Sequence, residues 1–278
     1  MKFTKMQGAG NDYIYINCFE ERIPPGERPA LARALSDRHF GVGGDGLICV
    51  GPSDIADVQM DMYNADGSRG LMCGNGIRCV GKLAYERGLT DKTELQIETA
   101  SGVRTLWLDA ADGVVRSARA DMGSPSFAAA DVPALTGEET FIRQRVEAAG
   151  RVWEVTALSV GNPHAVIFPG PDVEGLDLGA IGPAFERHPL FPRGVNTEFV
   201  NVIDRDHLKM RVWERGSGET LACGTGAAAA LAAANVCGLC GDSAAVELPG
   251  GALFVQWDRA RDRLYLTGPA VTVFEGEL

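Results

Sequence analysis

Two copies of one short phrase lie 150 residues apart in this chain, Cys73-Gly74-Asn75-Gly76 and Cys223-Gly224-Thr225-Gly226. Each is followed by a segment of helix-forming composition that ends at Gly88-Leu89 or Gly238-Leu239, again at the same offset. Glycine there suits the left-handed residue that stops a helix. The match runs further. Tyr63-Asn64-Ala65 precedes Cys73 as Trp213-Glu214-Arg215 precedes Cys223, and Leu71 corresponds to Leu221. Glu98-Thr99-Ala100-Ser101-Gly102 leads into a strand-like run, as does Glu247-Leu248-Pro249-Gly250-Gly251. Gly10-Asn11 and Gly161-Asn162 each head an apolar run. Ordered self-similarity of this kind marks a duplicated supersecondary unit, so whatever one half folds into, the other must repeat.

Strand-like runs are short and rich in β-branched and aromatic residues, at 13–17, 47–50, 58–63, 95–98, 103–108, 114–121, 151–160, 165–168, 196–203, 207–213, 253–257 and 263–267. Helical patterns cover only 29–36, 76–87 and 226–237. So many strands per helix argue against a doubly wound sheet. They predict an α/β (α+β) chain of two pseudo-symmetric domains, each a curled mixed or antiparallel sheet wrapped around a central helix. Residues 227–234 are seven alanines and one leucine, apolar on every side, as complete burial requires. The expected halves are 1–122, with the tail 268–278 returning to it, and 123–267, with a linker near Gly123-Ser124-Pro125.

Composition narrows the function. The chain has 278 residues, 45% hydrophobic and 23% charged, enough for one large or two medium domains. Its formal net charge is −11, which argues against nucleic acid or an anionic membrane as partner, since phosphate needs a basic face. No signal-peptide pattern and no stretch of about 20 apolar residues is expected to target or span a membrane. Seven cysteines, an odd number with no export signal, predict uncrosslinked thiols in a reducing cytoplasm. Cys237-Gly238-Leu239-Cys240 has redox or half-zinc spacing, but no second C-x-x-C or H-x-x-x-H completes four ligands.

A thiol at a helix N-terminus is activated, because the helix end favours the thiolate. The glycines after each Cys leave backbone N–H groups available to an anion. Together the two phrases offer two thiols and two carboxylate-binding helix ends. One thiolate could remove an α-proton while the other thiol returns a proton to the opposite face, inverting a carbon without a cofactor. The bland alternative is that Cys is a small buried hydrophobe. That reading keeps Cys18, Cys49 and Cys79, but it accounts poorly for two copies at equivalent repeat positions. Asn11, Asn64, Asn162 and Asn196 stand near strand ends, where asparagine is either a turn former or a binding group. Glu214-Arg215 could read an amine and a carboxylate, the latter bidentately. His164 could tune a thiol or be structural.

Eight phrases in order resemble the diaminopimelate epimerase family over nearly the whole chain: residues 5–13, 38–46, 64–68, 73–79, 161–164, 195–199, 214–226 and 267–270. The resemblance implies cofactor-independent epimerisation of LL-2,6-diaminopimelate to the meso form, in lysine and peptidoglycan precursor synthesis. It implies a site between two domains, Cys73 and Cys223 as the acid/base pair, and substrate binding by Asn11, Asn64, Asn162, Asn196, Glu214 and Arg215. Gly74, Asn75, Gly224 and Thr225 would supply helix-end amides, and His164 and Glu214 would adjust the thiol pKa values. It further implies a homodimer. One departure stands out: some members carry a substrate-contacting Gln where this chain has Gly46, and that contact is not transferred. The rivals are another two-cysteine racemase of the same fold, such as a proline racemase, whose first phrase resembles C-G-H-G, and a non-enzymatic thiol or metal-binding protein built on Cys237 and Cys240. A pyridoxal phosphate enzyme lacks a persuasive Schiff-base lysine among Lys2, Lys5, Lys82, Lys92 and Lys209.

Overall fold

The computed structural model describes residues 1–170 and 173–278. The chain divides into two compact units, Met1–Asp121 with Thr267–Leu278, and Met122–Leu266. The first contains β1 (Lys2–Gly8), β2 (Asn11–Asn17), α1 (Arg28–Ser36), β3 (Gly46–Gly51), β4 (Val58–Asn64), α2 (Gly74–Glu86), β5 (Glu94–Thr99), β6 (Gly102–Ala111) and β7 (Val114–Gly123). The second contains β8 (Phe141–Ala148), β9 (Arg151–Ser159), β10 (Pro163–Ile167), α3 (Leu178–Glu186), β11 (Asn196–Val202), β12 (His207–Glu214), β13 (Gly218–Thr220), α4 (Gly224–Val236), β14 (Ser243–Leu248), β15 (Gly251–Asp258) and the first four residues of β16 (Arg263–Gly268). The last strand, β17 (Val271–Glu277), pairs antiparallel with β1, with Lys2 opposite Glu277.

The pairing pattern repeats. In the first unit β1–β2 is antiparallel, β2–β3 parallel, β3–β4 antiparallel, β4–β5 parallel and β5–β6 antiparallel. In the second, β9–β10, β10–β11, β11–β12, β12–β14 and β14–β15 follow the same alternation. Helices α1 and α3 share the 150-residue offset, as do α2 and α4.

Each long helix is wrapped by its own unit. Helix α2 packs on β1 to β6, and α4 on β9, β10, β11, β12, β14 and β15. Ile77, Cys79, Val80, Leu83 and Ala84 of α2 are buried, and all of residues 227–234 in α4 are at 0% exposure. Alanine is what such encirclement selects: it loses no side-chain entropy and lets strands approach on every side. Both helices stop as their glycines predict. Gly88 and Gly238 have φ of +67° and +75°, and Leu89 and Leu239 N–H reach back to Ala84 and Ala234 carbonyls at 2.9 and 2.8 Å, the Schellman closure.

Five strands and one helix escape the sequence reading: β1, β8, β13, β14, β17 and α3. Helix α3 carries Gly182 and Pro183 inside it, residues that oppose a helix locally. Tertiary packing overrides them. Asp177 caps the first turn, and Leu178 and Phe185 enter a buried cluster with Trp153 and Phe199, whose rings meet edge to face.

Candidate active site

Each cysteine phrase builds the same local device. Cys73 and Cys223 are the N-cap residues of α2 and α4, both with extended backbone, φ −128° and −125°. Each sulfur accepts the N–H of the third residue of its helix, Gly76 or Gly226, at 3.3 Å. A thiol here does the work of a Ser or Asp cap, and the sulfur is thereby fixed at the positive end of the helix.

In the first unit Asn11 lies against the sulfur, its Oδ1 accepting from the Cys73 thiol at 3.2 Å. Asp45 sets that orientation by accepting a hydrogen bond from Asn11 Nδ2 at 2.6 Å. Burial holds Asp45 above the usual carboxylate range, and the neighbouring Asp12 charge adds to it. Asp12 moves the opposite way: burial would raise it, but Arg38 and Lys5 outweigh burial and lower it. The Asn64 amide donates to Ser68 Oγ at 3.0 Å. Asn75 is turned inward and accepts from the fully buried Arg78 at 3.0 Å, while Arg78 also donates to the Gly74 and Pro269 carbonyls. Gly46 has no room for a side chain, since a Cβ would fall 2.1 Å from the Tyr63 carbonyl oxygen. The withheld glutamine contact therefore has no equivalent at this position.

The second unit surrounds its thiol with more ionisable groups. Cys223 is 6% exposed. Burial, then the charges of Glu214 and Glu198, push its thiol well above the ordinary value, and the Thr225 and Gly226 hydrogen bonds do not offset them. The helix-end argument had predicted a lowered thiol, and desolvation beside two carboxylates reverses it. Glu214 is itself raised, first by burial, and accepts from Thr220 Oγ1 at 2.5 Å. Thr225 Oγ1 lies 3.4 Å from the Cys223 sulfur, and Asn162 Nδ2 donates to that hydroxyl at 3.3 Å. His164 Nε2 faces Asn162 Oδ1 at 3.0 Å, and its Nδ1 faces Glu198 Oε1 at 2.7 Å. Asn196 is tied to the backbone, donating to the Pro163 carbonyl at 3.1 Å and accepting the Arg215 N–H at 2.9 Å. The Arg215 guanidinium donates to the Arg193 carbonyl at 2.9 Å.

Of the residues singled out in the sequence, Asn11 thus reaches Cys73, and Thr225, Asn162, His164 and Glu214 gather about Cys223. Asn64, Asn75, Asn196 and Arg215 are fastened to other groups of their own units. Sequence reasoning missed Glu198 and Arg78, both at 0% exposure. Glu198 had a signal: it is the one carboxylate in the apolar strand run 196–203, and a charge in a fully buried strand needs a reason. Cys237 and Cys240 look to different groups, Thr156 Oγ1 and the Leu231 and Gly241 carbonyls. None of the described cysteines is in a disulfide.

Comparison with known proteins gives the frame for this geometry. The family model described as diaminopimelate epimerase matches residues 3–128 and 156–273. Among curated relatives, a diaminopimelate epimerase of Acetivibrio thermocellus is 50% identical over 279 residues, covering 100% of this chain and 98% of its own. That of Desulfovibrio desulfuricans is 52% identical over 284 residues, with the same coverage. Among solved structures, a probable proline racemase from Agrobacterium radiobacter K84 superposes with a TM-score of 0.72 at 15% identity, covering 100% of this chain and 92% of that one. A hydroxyproline epimerase from Agrobacterium vitis superposes at 0.70 and 17%, covering 100% and 90%. The last two establish the fold alone. The family model and the full-length relatives establish descent: this chain belongs to the diaminopimelate epimerase family.

Proposed function

We propose that the chain interconverts LL- and meso-2,6-diaminopimelate by two-thiol proton transfer at one Cα, in lysine and peptidoglycan precursor synthesis. The observation that carries this reading is the pair of N-capping thiols, Cys73 and Cys223, at equivalent helix heads of a chain matched end to end by diaminopimelate epimerases. One sulfur takes the α-proton as a base. The electron pair left on carbon spreads into the α-carboxylate, where helix N-terminal amides at Gly74, Asn75, Gly224 and Thr225 receive the charge. The other thiol gives its proton to the far face, and configuration inverts. Burial and two carboxylates keep Cys223 protonated, which suits it to the donor role in the direction where Cys73 is the base. Asn11, Asn64, Asn162, Asn196, Glu214 and Arg215 hold the amino-acid groups of the substrate, and His164 and Glu214 set the thiols. No cofactor enters this scheme.

Two coarser attributes belong to the same proposal. The chain works in the cytoplasm, a reading supported by seven unbridged thiols; among the described residues no helix is long and apolar enough to cross a membrane. It forms a homodimer with a second copy, supported by the exposed apolar side chains Val273 and Phe274 of β17, and sedimentation of the intact protein tests it.

The decisive experiment incubates reduced protein with LL-diaminopimelate in heavy water. Deuterium should enter Cα while the meso isomer accumulates, and Cys73→Ala or Cys223→Ala should each abolish inversion. A Cys73→Ala variant with full activity, or equal turnover of proline, refutes the reading.

A further inference from the structure

Four hydrogen bonds connect the second thiol to a buried carboxylate on β11. The order is Glu198, His164, Asn162, Thr225, Cys223, with separations of 2.7, 3.0, 3.3 and 3.4 Å. Glu198 and His164 are both at 0% exposure. Proton bookkeeping gives this chain a direction. Asn162 donates through Nδ2 to the Thr225 hydroxyl, so its carbonyl oxygen faces His164 Nε2. An amide oxygen can only accept, so Nε2 must carry a hydrogen. His164 Nδ1 and Glu198 Oε1, 2.7 Å apart, then share one further proton. At the other end, the Thr225 hydroxyl accepts from Asn162 and lies 3.4 Å from the Cys223 sulfur; once that sulfur is a thiolate it has no hydrogen to give, and the hydroxyl hydrogen is then the donor between them.

We propose that Glu198 is a positioning residue for the second thiol: by holding His164 with a proton on Nε2, it orients Asn162 and turns Thr225 into a hydrogen-bond donor to Cys223. The proposal rests on the reading of Cys223 as an acid/base group. The sulfur gains most from such a donor after it has released its proton. The thiolate then sits in a buried place facing Glu214 on β12, Glu198 on β11 and, through Asn162, His164 on β10, with the Thr225 hydroxyl and the Gly226 N–H at the head of α4 as donors to it.

Two further observations mark Glu198 as placed for this. Its second oxygen, Oε2, is buried with no hydrogen-bond partner, so among the described groups His164 is the one that compensates the carboxylate. Helix α4 also sits directly on Oε1: a Cβ added at Gly226 would meet it at 2.7 Å. The equivalent position in the first unit is Ile48, whose Cδ1 lies 2.8 Å from a Cβ added at Gly76. The duplicated fold supplies an apolar support under one helix and an ionisable one under the other, so the relay is a property of the second half alone.

The test reads protonation first and turnover second. In the intact wild-type protein at neutral pH, a nitrogen-15 spectrum of labelled histidine, assigned by a His164→Gln variant, should show His164 Nε2 protonated. An Nε2 without hydrogen overturns the proposal, whatever the variants do. Glu198→Gln can still serve Nδ1 as a donor through its amide, so it should keep the Nε2 hydrogen and stay within about threefold of wild-type kcat. Glu198→Met cannot hold either tautomer. It should lose the Nε2 signature and lower kcat about tenfold with KM unchanged, roughly the worth of one hydrogen bond to a charged group. Equal losses in the Gln and Met variants, or a Met variant with wild-type kcat, overturn the positioning role. Failure of the functional reading is separate: wild-type protein that places no deuterium in diaminopimelate refutes the activity and leaves the histidine spectrum as it is.

Discussion

The duplication allows one methyl group to be tested in two settings. Gly76 and Gly226 occupy the same place, the third residue of α2 and of α4. At Gly226 the new carbon would lie 2.7 Å from Glu198 Oε1 and 3.2 Å from the Cys223 sulfur, against an ordinary contact of 3.4 Å or more. The carboxylate must retreat by about 0.7 Å, or the helix must lift by a similar amount, in an interior with no slack. Glu198 cannot swing to solvent, being fully buried and fastened to His164. Overpacking costs about 1–3 kcal/mol, and a strained or broken hydrogen bond to a charged group adds about 1.5–3 kcal/mol. Replacing glycine by alanine in a helix returns up to about 1 kcal/mol. With the full helix gain subtracted, the net for Gly226→Ala is about 1.5–5 kcal/mol. At Gly76 the methyl would meet Ile48 Cδ1 at 2.8 Å and Met60 Cε at 3.1 Å, the far ends of flexible side chains that can rotate aside. There the net is within about 1 kcal/mol. Thermal and urea midpoints of the two single variants measure the difference. On the proposed role of Cys223, Gly226→Ala should also lower kcat by about tenfold or more, since it displaces that sulfur by tenths of an ångström. Equal destabilisation of the two variants, or a Gly226→Ala protein with wild-type midpoint and turnover, refutes the reasoning.

Three other perturbations follow from the same contacts. Arg78→Met removes the buried donor to the Gly74 and Pro269 carbonyls and the Asn75 side chain; it should cost about 3 kcal/mol by urea titration, and Arg78→Lys should recover part of that. Gly182→Ala drives a carbon to 2.2 Å from the Trp213 ring, which Glu186 holds by its indole N–H at 2.7 Å; an unfolding midpoint lowered by about 3 kcal/mol or more is expected, and a neutral result would show that α3 can slide. Asp12 is lowered below the ordinary 3.8 although burial opposes this, because Arg38 and Lys5 win. Its folded-state pKa lies under the unfolded one, so its stabilisation is full above pH 3.8 and is lost as pH falls through the folded value. Asp12→Asn should therefore flatten the acid limb of a stability-against-pH curve below about pH 4 and lower the plateau above it.

Much of the fold was legible because its signals are local. The helix stops at Gly88 and Gly238, and the N-caps at Cys73 and Cys223, depend on a few consecutive residues. The burial of α4 follows from seven alanines and a leucine with no polar face. Strand β14 was missed although its counterpart β5 was read, because 243–248 opens with three small residues, Ser243-Ala244-Ala245, and carries little β-signal. Strand β17 was missed because it is exposed along most of its length, and β8 because half of its residues are exposed and Ile142-Arg143-Gln144-Arg145 breaks the alternation. Helix α3 was hidden by Gly182 and Pro183, whose local cost is outweighed by aromatic packing contributed from distant residues.

By itself, the sequence determined that the chain is duplicated, that each half places a thiol at the head of a buried helix, and that these thiols belong to an epimerase family. Capping, periodicity and repeat spacing are short-range properties, so a linear reading recovers them. Only the tertiary structure decided what lies under each helix: Ile48 beneath one, Glu198 with His164 beneath the other, and burial that raises the Cys223 thiol where the helix end alone would lower it. Desolvation and charge–charge interaction depend on groups brought together from strands far apart in sequence, and in a duplicated chain such groups can differ at equivalent positions while the backbone repeats.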